Sequence, residues 1–287
     1  MLSEIKQFIN WVHLRNPHAR TWKDYTYDLN LFIQVIGDKA VEEITAQDVS
    51  RFIEYQSQSG ACARTVNRRV KTVSALFNYL NEEQRDIPNP VLPRLHQLRM
   101  PQRLPRPAQQ ADLELFFSVI KNPRDKAIFT LMLRCGLRIS EVAGLTMDNL
   151  FLREAKPRIQ LFGKNSKERS VYLSPQALRI LKSYLVQRPR VVDEHVFLSY
   201  QLKGLSTTAI HQHLVKYRDL VSIKLTAHQL RHSFATNLIQ EKVPLVSVQK
   251  LLGHAWIQTT MNYIKVSDPQ VQADFFAASA RMEGWHL

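Results

Sequence analysis

Cysteine is nearly absent from this chain of 287 residues: Cys62 and Cys135 lie far apart, and neither has metal-ligand spacing around it. That speaks against a cysteine-held metal site and fits a reducing cytosol. Long apolar runs are missing too. The most apolar stretch, Ala127 to Leu133, is far shorter than the roughly 20 residues a membrane-spanning helix needs, and Met1-Leu2-Ser3-Glu4 does not open a signal peptide. A soluble, cytoplasmic protein without a membrane partner is therefore expected. Ten histidines occur with no carboxylate cluster to join them, so no metal and no cofactor are expected, and a metal-dependent nuclease is disfavoured. Internal repeats and low-complexity tracts are also lacking.

Positive charge is what the chain has in excess, with a formal net charge of +14 and a pI near 9.9. Unbalanced charge of this size gains nothing inside a fold and points to a polyanionic partner, nucleic acid first. Residues 1–100 hold 13 Lys and Arg against 11 Asp and Glu, which leaves +12 of the excess in residues 101–287.

The length suits two domains of ordinary size. In the first hundred residues apolar positions recur at helical spacing: Ile5, Phe8, Ile9 and Val12, then Trp22, Tyr25, Leu29, Phe32, Ile33 and Ile36 before Gly37. A third helix is expected to start at Thr45, with Asp48 three residues on, burying Val49, Phe52 and Ile53 and ending by Gly60. A fourth buries Val66, Val70, Val73, Phe77 and Leu80. On another face of that fourth helix Arg64, Asn67, Arg68 and Lys71 form a stripe that is either an ordinary solvated face or a contact with DNA phosphates. Six prolines between Ile87 and Pro107, interspersed with Arg94, Arg99, Arg103 and Arg106, bar a continuous helix. They predict an extended basic linker, with Arg103 and Arg106 as further DNA contacts. The expected organisation is a helical DNA-binding domain over 1–86, a linker over 87–107 and a catalytic domain over 108–287.

That second domain reads as mainly α with a small antiparallel β-hairpin: Ile159 and Leu161 alternate with polar neighbours, as do Val171 and Leu173, on either side of the turn 163–168. Four short motifs follow the linker, each ordinary alone. Arg138 and Glu141 have surface ion-pair spacing on one helical face. Thr226 opens a helix that places His228 and Arg231 near its positive end. Leu251-Leu252-Gly253-His254 reads as a helix end with glycine just past it. Tyr263 alone would be a half-buried aromatic.

The order of the set, Arg138, a lysine in a hairpin turn, His228-x-x-Arg231, Gly253-His254 and then Tyr263, resembles the tyrosine recombinase (phage integrase) family. Leu230-Arg231-His232-Ser233-Phe234-Ala235-Thr236 and Leu251-Leu252-Gly253-His254 are most similar to its Xer-type and transposon-borne branch. The resemblance implies a site-specific recombinase that cuts and rejoins duplex DNA through a 3′-phosphotyrosine, with two domains forming a C-shaped clamp. Tyr263 would be the nucleophile. Arg138 and Arg231 would hold the phosphate, His228 would act as base, and Lys164 would protonate the leaving 5′ oxygen. His254 would donate a hydrogen bond to the phosphate, and Glu141 would orient the site. Partners implied are a core site on double-stranded DNA and a homotetramer on two such sites, with a helix over 268–283, carrying Val271, Phe275, Phe276 and Met282, docking on a neighbouring subunit. Asn165 departs from the second glycine common in the family's turn. No room exists before Leu2 for an extra arm-binding domain, so simple core sites are expected. Two other readings are a type IB topoisomerase and a catalytically inactive DNA-bridging protein.

Overall fold

Leu29, Phe32 and Ile36 share one face of a helix because 3.6 residues complete each turn, and that face is buried. The computed structural model describes residues 1–15, 17, 21–83, 86–100, 108–162 and 168–253, and the chain divides into two compact units, Met1–Gln102 and Arg103–Leu287. Among the described residues no helix is long and apolar enough to cross a membrane.

The first unit is built on α1 (Leu2–Arg15), α2 (Thr21–Ile36), α3 (Ala46–Gln58) and α4 (Ala63–Glu82). Their expected apolar stripes supply its core, with Ile9, Val12, Tyr25, Ile33 and Ile53 only partly covered at the rim, while Trp22 is half-buried outside that cluster. Thr45 caps α3 as its spacing predicts: its hydroxyl accepts from the Asp48 amide, and the Asp48 carboxylate accepts from the Thr45 amide at 3.0 Å.

The segment expected as a linker differs in its described part. Residues 86–100, including the short helix α5 (Pro93–His96), are laid against the first unit. Ile87 and His96 are buried there. The His96 ring accepts the Leu92 amide at Nδ1 (3.0 Å), so its proton sits on Nε2, 3.3 Å from Ser50 Oγ on α3. Burial pushes its pKa below the ordinary value, which keeps the ring neutral. The Asn67 side chain donates to the Leu98 carbonyl at 2.8 Å and accepts from the Leu98 amide at 2.9 Å. Proline bars a long helix here, but it does not prevent an extended chain from pairing its polar groups with a neighbouring helix.

The second unit contains α6 (Gln110–Ser118), α7 (Pro123–Arg134), α8 (Ile139–Ala143), β1 (Leu150–Phe151), β2 (Arg158–Phe162), β3 (Glu168–Tyr172), α9 (Pro175–Gln187), α10 (Thr207–Leu220), α11 (Ala227–Gln240) and α12 (Leu245–Leu252). Helix α7 carries the apolar run Ala127–Leu133, all of it buried, and packs against α9 and α11, while Lys126 and Arg134 on either side of the run are exposed. The expected hairpin is present as β2 and β3, with Ile159 opposite Val171 and Leu161 opposite Arg169. A third strand, β1, extends it into an antiparallel sheet ordered β1-β2-β3. Two residues of strand are too few to leave a period in the sequence. Helix α12 rests on α11 through a small apolar cluster of its own, Ala235, Val248 and Leu252, apart from the main core.

Candidate active site

The site begins at a glycine. Past α7 the chain turns at Gly136 with φ +65°, a left-handed conformation, and a Cβ there would lie 2.4 Å from Cδ1 of Phe234 on α11. Only glycine lets this loop lie so close to α11 that the Gly136 carbonyl accepts a hydrogen bond from the Arg231 guanidinium. Gly136→Ala combines backbone strain with overpacking. It is expected to cost at least about 2 kcal/mol, read as a fall in melting temperature on the order of 5–10 °C. An unchanged melting curve would show that Phe234 can move aside without penalty.

Two residues on, Arg138 is the residue before the first turn of α8, with extended dihedrals, rather than a member of that helix. The sequence pattern of Arg138 and Glu141 therefore marks a capping arrangement and not a pair along a helical face. The Arg138 amide donates to Glu141 Oε2 at 2.7 Å, and its Nη1 donates to Glu141 Oε1 at 2.6 Å. Glu141 is thus held by both the backbone and the guanidinium of the same residue. The Arg138 side chain keeps 40% of its surface exposed, so part of its fork of donors faces outward.

Arg231, on α11, is by contrast almost wholly buried. Besides the Gly136 carbonyl, it reaches the Leu252 carbonyl at 2.5 Å, and its Nη1 lies 3.8 Å from Glu141 Oε2. His228, one turn earlier on α11, is exposed in the first turn, which is set by a capping box between Thr226 and Gln229. His232 stands four residues beyond His228 but is buried, so that pair does not present two rings on one exposed face.

A third arginine, which sequence reasoning missed, completes the cluster. Arg169 on β3 donates from Nη1 and Nη2 to the two Glu141 oxygens at 2.8 and 2.7 Å, and from Nε to the Leu251 carbonyl at 3.1 Å. Alternation carried a signal for it. Arg169 shares its strand face with the buried Val171 and pairs across the hairpin with the buried Leu161, so a charge stands in the inward phase of the strand. Burial alone would raise the Glu141 pKa. The bonds and charge of Arg169, followed by the bonds of Arg138, outweigh it and bring the carboxyl down to about 2.

At α12 these arginines meet three successive carbonyls: Leu251 binds Arg169, Leu252 binds Arg231, and Gly253 receives a long 3.5 Å contact from Arg138. Gly253 ends α12 in the left-handed conformation predicted for it. Cations suit the negative end of a helix. Among the described residues three guanidiniums gather around one carboxylate, an excess of positive charge that suits an anion. His254 is the next residue in the chain, but His254, Tyr263, Lys164 and the helix expected over 268–283 lie outside the described residues.

Among the residues expected to touch DNA, Arg64 and Lys71 are exposed on α4. Arg68 is about half exposed while its Nη2 pairs with the buried Asp28 carboxylate at 2.8 Å. Asn67 leaves that stripe: it is buried, and its amide is committed to Leu98. Helix periodicity placed it beside the arginines but could not show that a later segment covers it. Arg103 and Arg106 lie outside the described residues.

A mainly helical protein of two units, with a cluster of arginines gathered where a helix ends, is of the class that handles phosphate-bearing strands. The chain belongs to the phage integrase family. The pattern described as Phage integrase family matches residues 109–270, and that described as Phage integrase, N-terminal SAM-like domain matches residues 5–84. Tyrosine recombinase XerD of Listeria monocytogenes is 31% identical over 281 residues, covering 92% of this chain and 94% of the relative. Among solved structures, the Tn1549 transposon integrase in complex with transposon right end DNA superposes with a TM-score of 0.78 at 17% identity, over 96% of this chain and 99% of that one. The XerH site-specific recombinase bound to palindromic difH substrate does so with a TM-score of 0.71 at 22% identity, over 90% of this chain and 79% of that one.

Proposed function

We propose that this protein is a tyrosine-type site-specific recombinase that cuts and rejoins double-stranded DNA, using Tyr263 as nucleophile and needing neither metal nor ATP. The observation that carries the reading is the convergence of Arg138 and Arg231 at Glu141 and the end of α12, one residue before His254. In-line attack on a phosphodiester builds charge on the non-bridging oxygens, and two guanidiniums stabilise that charge by forked hydrogen bonds. His228, exposed on the first turn of α11, accepts the Tyr263 proton. Lys164 delivers a proton to the leaving 5′ oxygen, and His254 donates to the phosphate. The bond formed links Tyr263 Oη to the 3′ phosphate, and the bond broken releases a 5′ hydroxyl. Attack by a 5′ hydroxyl from the partner strand reverses the step, so the energy of the broken bond is retained in the phosphotyrosine. Exchanging all four strands of two duplexes requires four such sites, hence a homotetramer on two core sites. The exposed Arg64, Arg68 and Lys71 of the first unit, with Arg103 and Arg106, contact backbone phosphates.

The test is incubation with a nicked suicide substrate carrying the cognate core site. A covalent protein–DNA adduct is expected, and it should form equally well in excess EDTA, because guanidiniums carry out the charge stabilisation that paired cations perform in metal enzymes. Absence of the adduct would refute the reading. Loss of cleavage in EDTA would refute its metal independence and restore the nuclease alternative. Relaxation of supercoiled DNA lacking core sites would favour the topoisomerase.

A further inference from the structure

We propose that Arg169 is a positioning residue for strand cleavage, holding Glu141 against Arg138 while fixing the end of α12 from which the chain runs on to His254 and Tyr263. The inference rests on the recombinase reading above and deepens it.

Its basis is the filling of the Glu141 carboxylate. Oε1 accepts from Arg138 Nη1 and Arg169 Nη1, and Oε2 accepts from the Arg138 amide and Arg169 Nη2. With both lone pairs of each oxygen taken, the carboxylate has one orientation, and Arg138 Nη1 is directed accordingly. Without Arg169 two acceptor positions open, and the partly exposed Arg138 fork is free to turn its outward donors in toward Glu141 instead of toward a phosphate.

The remaining donor of Arg169 does separate work. Nε binds the Leu251 carbonyl, and the side chain passes so close to Gly253 that a Cβ there would lie 2.9 Å from both its Cδ and its Nη1. The helix end is thus shaped to receive this guanidinium. Since the apolar cluster under α12 is small, the polar contacts made to its last carbonyls form a large part of what sets its position. One side chain on β3 therefore registers the phosphate-binding arginine and the helix leading to the nucleophile against each other. Arg169 itself is only 9% exposed, which suits a role exerted through Glu141 and α12 and not through contact with DNA.

Arg169→Met and Arg169→Lys, made in the full-length protein, test this on the nicked suicide substrate. At saturating DNA the single-turnover rate of adduct formation is expected to fall about 10–100-fold in Arg169→Met, the usual effect of losing a group that orients a reacting one, with DNA affinity little changed. The pH profile supplies a readout that a purely structural role would not move. Among the described residues, the charged groups facing Glu141 are Arg138 before α8, Arg169 on β3 and Arg231 on α11. Removing Arg169 takes away the strongest influence holding the carboxyl down, so an acidic limb should appear at higher pH than in the wild type and vanish when Glu141→Gln is added. Lysine keeps the charge but cannot bind two carboxylate oxygens and a carbonyl together, so Arg169→Lys should be slowed in the same manner. If Arg169→Met is unfolded at the assay temperature, Arg169→Lys decides. Wild-type rates in the folded variants, or losses that follow DNA affinity with an unmoved pH profile, would overturn the inference. Failure of the wild type itself to form an adduct would instead bring down the recombinase reading and this inference with it.

Discussion

Tyr263→Phe is expected to bring covalent adduct on a nicked core site below detection while DNA binding persists. The substitution removes one oxygen and leaves the ring, so the change is confined to the atom that would attack phosphorus. Tyr217 and Tyr200 are poorer candidates. Tyr217 is buried and donates to Asp125 at 2.9 Å, and burial, reinforced by that carboxylate, pushes its pKa above the ordinary phenol value. A hydroxyl so placed is both inaccessible and hard to ionise. Tyr200 is exposed, and its ring faces the Arg124 guanidinium. Gel analysis of labelled suicide DNA, with peptide mapping of any adduct, measures this directly. An adduct that survives the substitution, or that maps to Tyr200 or Tyr217, would remove Tyr263 from its assigned role.

Glu141→Gln should lower stability by about 3 kcal/mol at neutral pH and by very little near pH 2. The sign follows from the direction of the shift. The carboxyl ionises at about 2 in the folded protein against an ordinary 4.5, so its contribution is complete above about pH 4.5 and is lost as the pH falls through about 2. Glutamine resembles the protonated acid and cannot accept all four bonds, leaving Arg169 and Arg231 as buried cations whose carboxylate is gone. Breaking such a pair from one side commonly costs about 3–5 kcal/mol, the same order as the shift implies. Urea unfolding of both proteins at pH 7 and at low pH measures the difference. Equal stability at pH 7 would mean that the arginines find other partners.

Much of the fold was legible because helices with one buried face leave a period in the sequence. The stripes of α1 to α4 are of this kind, and the Thr45 cap and the alternation of β2 and β3 are equally local patterns. Three features escaped for different reasons. Strand β1 is shorter than any period. Asn67 has the polarity of a surface residue, yet a segment 31 residues later covers it, and pairing across that distance leaves no local trace. Arg169 was hidden by its type: an arginine beside a basic turn reads as a surface charge unless its strand phase is weighed against Val171. The five-part set that named the family gave, through its chain order, the residues proposed to react. It carried no information on Arg169, because a positioning residue is defined by what it touches.

The three carbonyls at the end of α12 also bear on how the protein is made. Arg138 and Glu141 leave the ribosome early, yet Arg138 contacts Gly253, a residue 115 positions later. A nascent chain that stops short of Leu251 has arginines and a carboxylate but not the helix end that Arg169 and Arg231 bind. Translation order thus delays completion of the arginine cluster until α12 has been synthesised, and Tyr263, the proposed nucleophile, comes later still. A partly synthesised chain can hold the first unit, folded around its own core, well before it holds the completed arginine cluster.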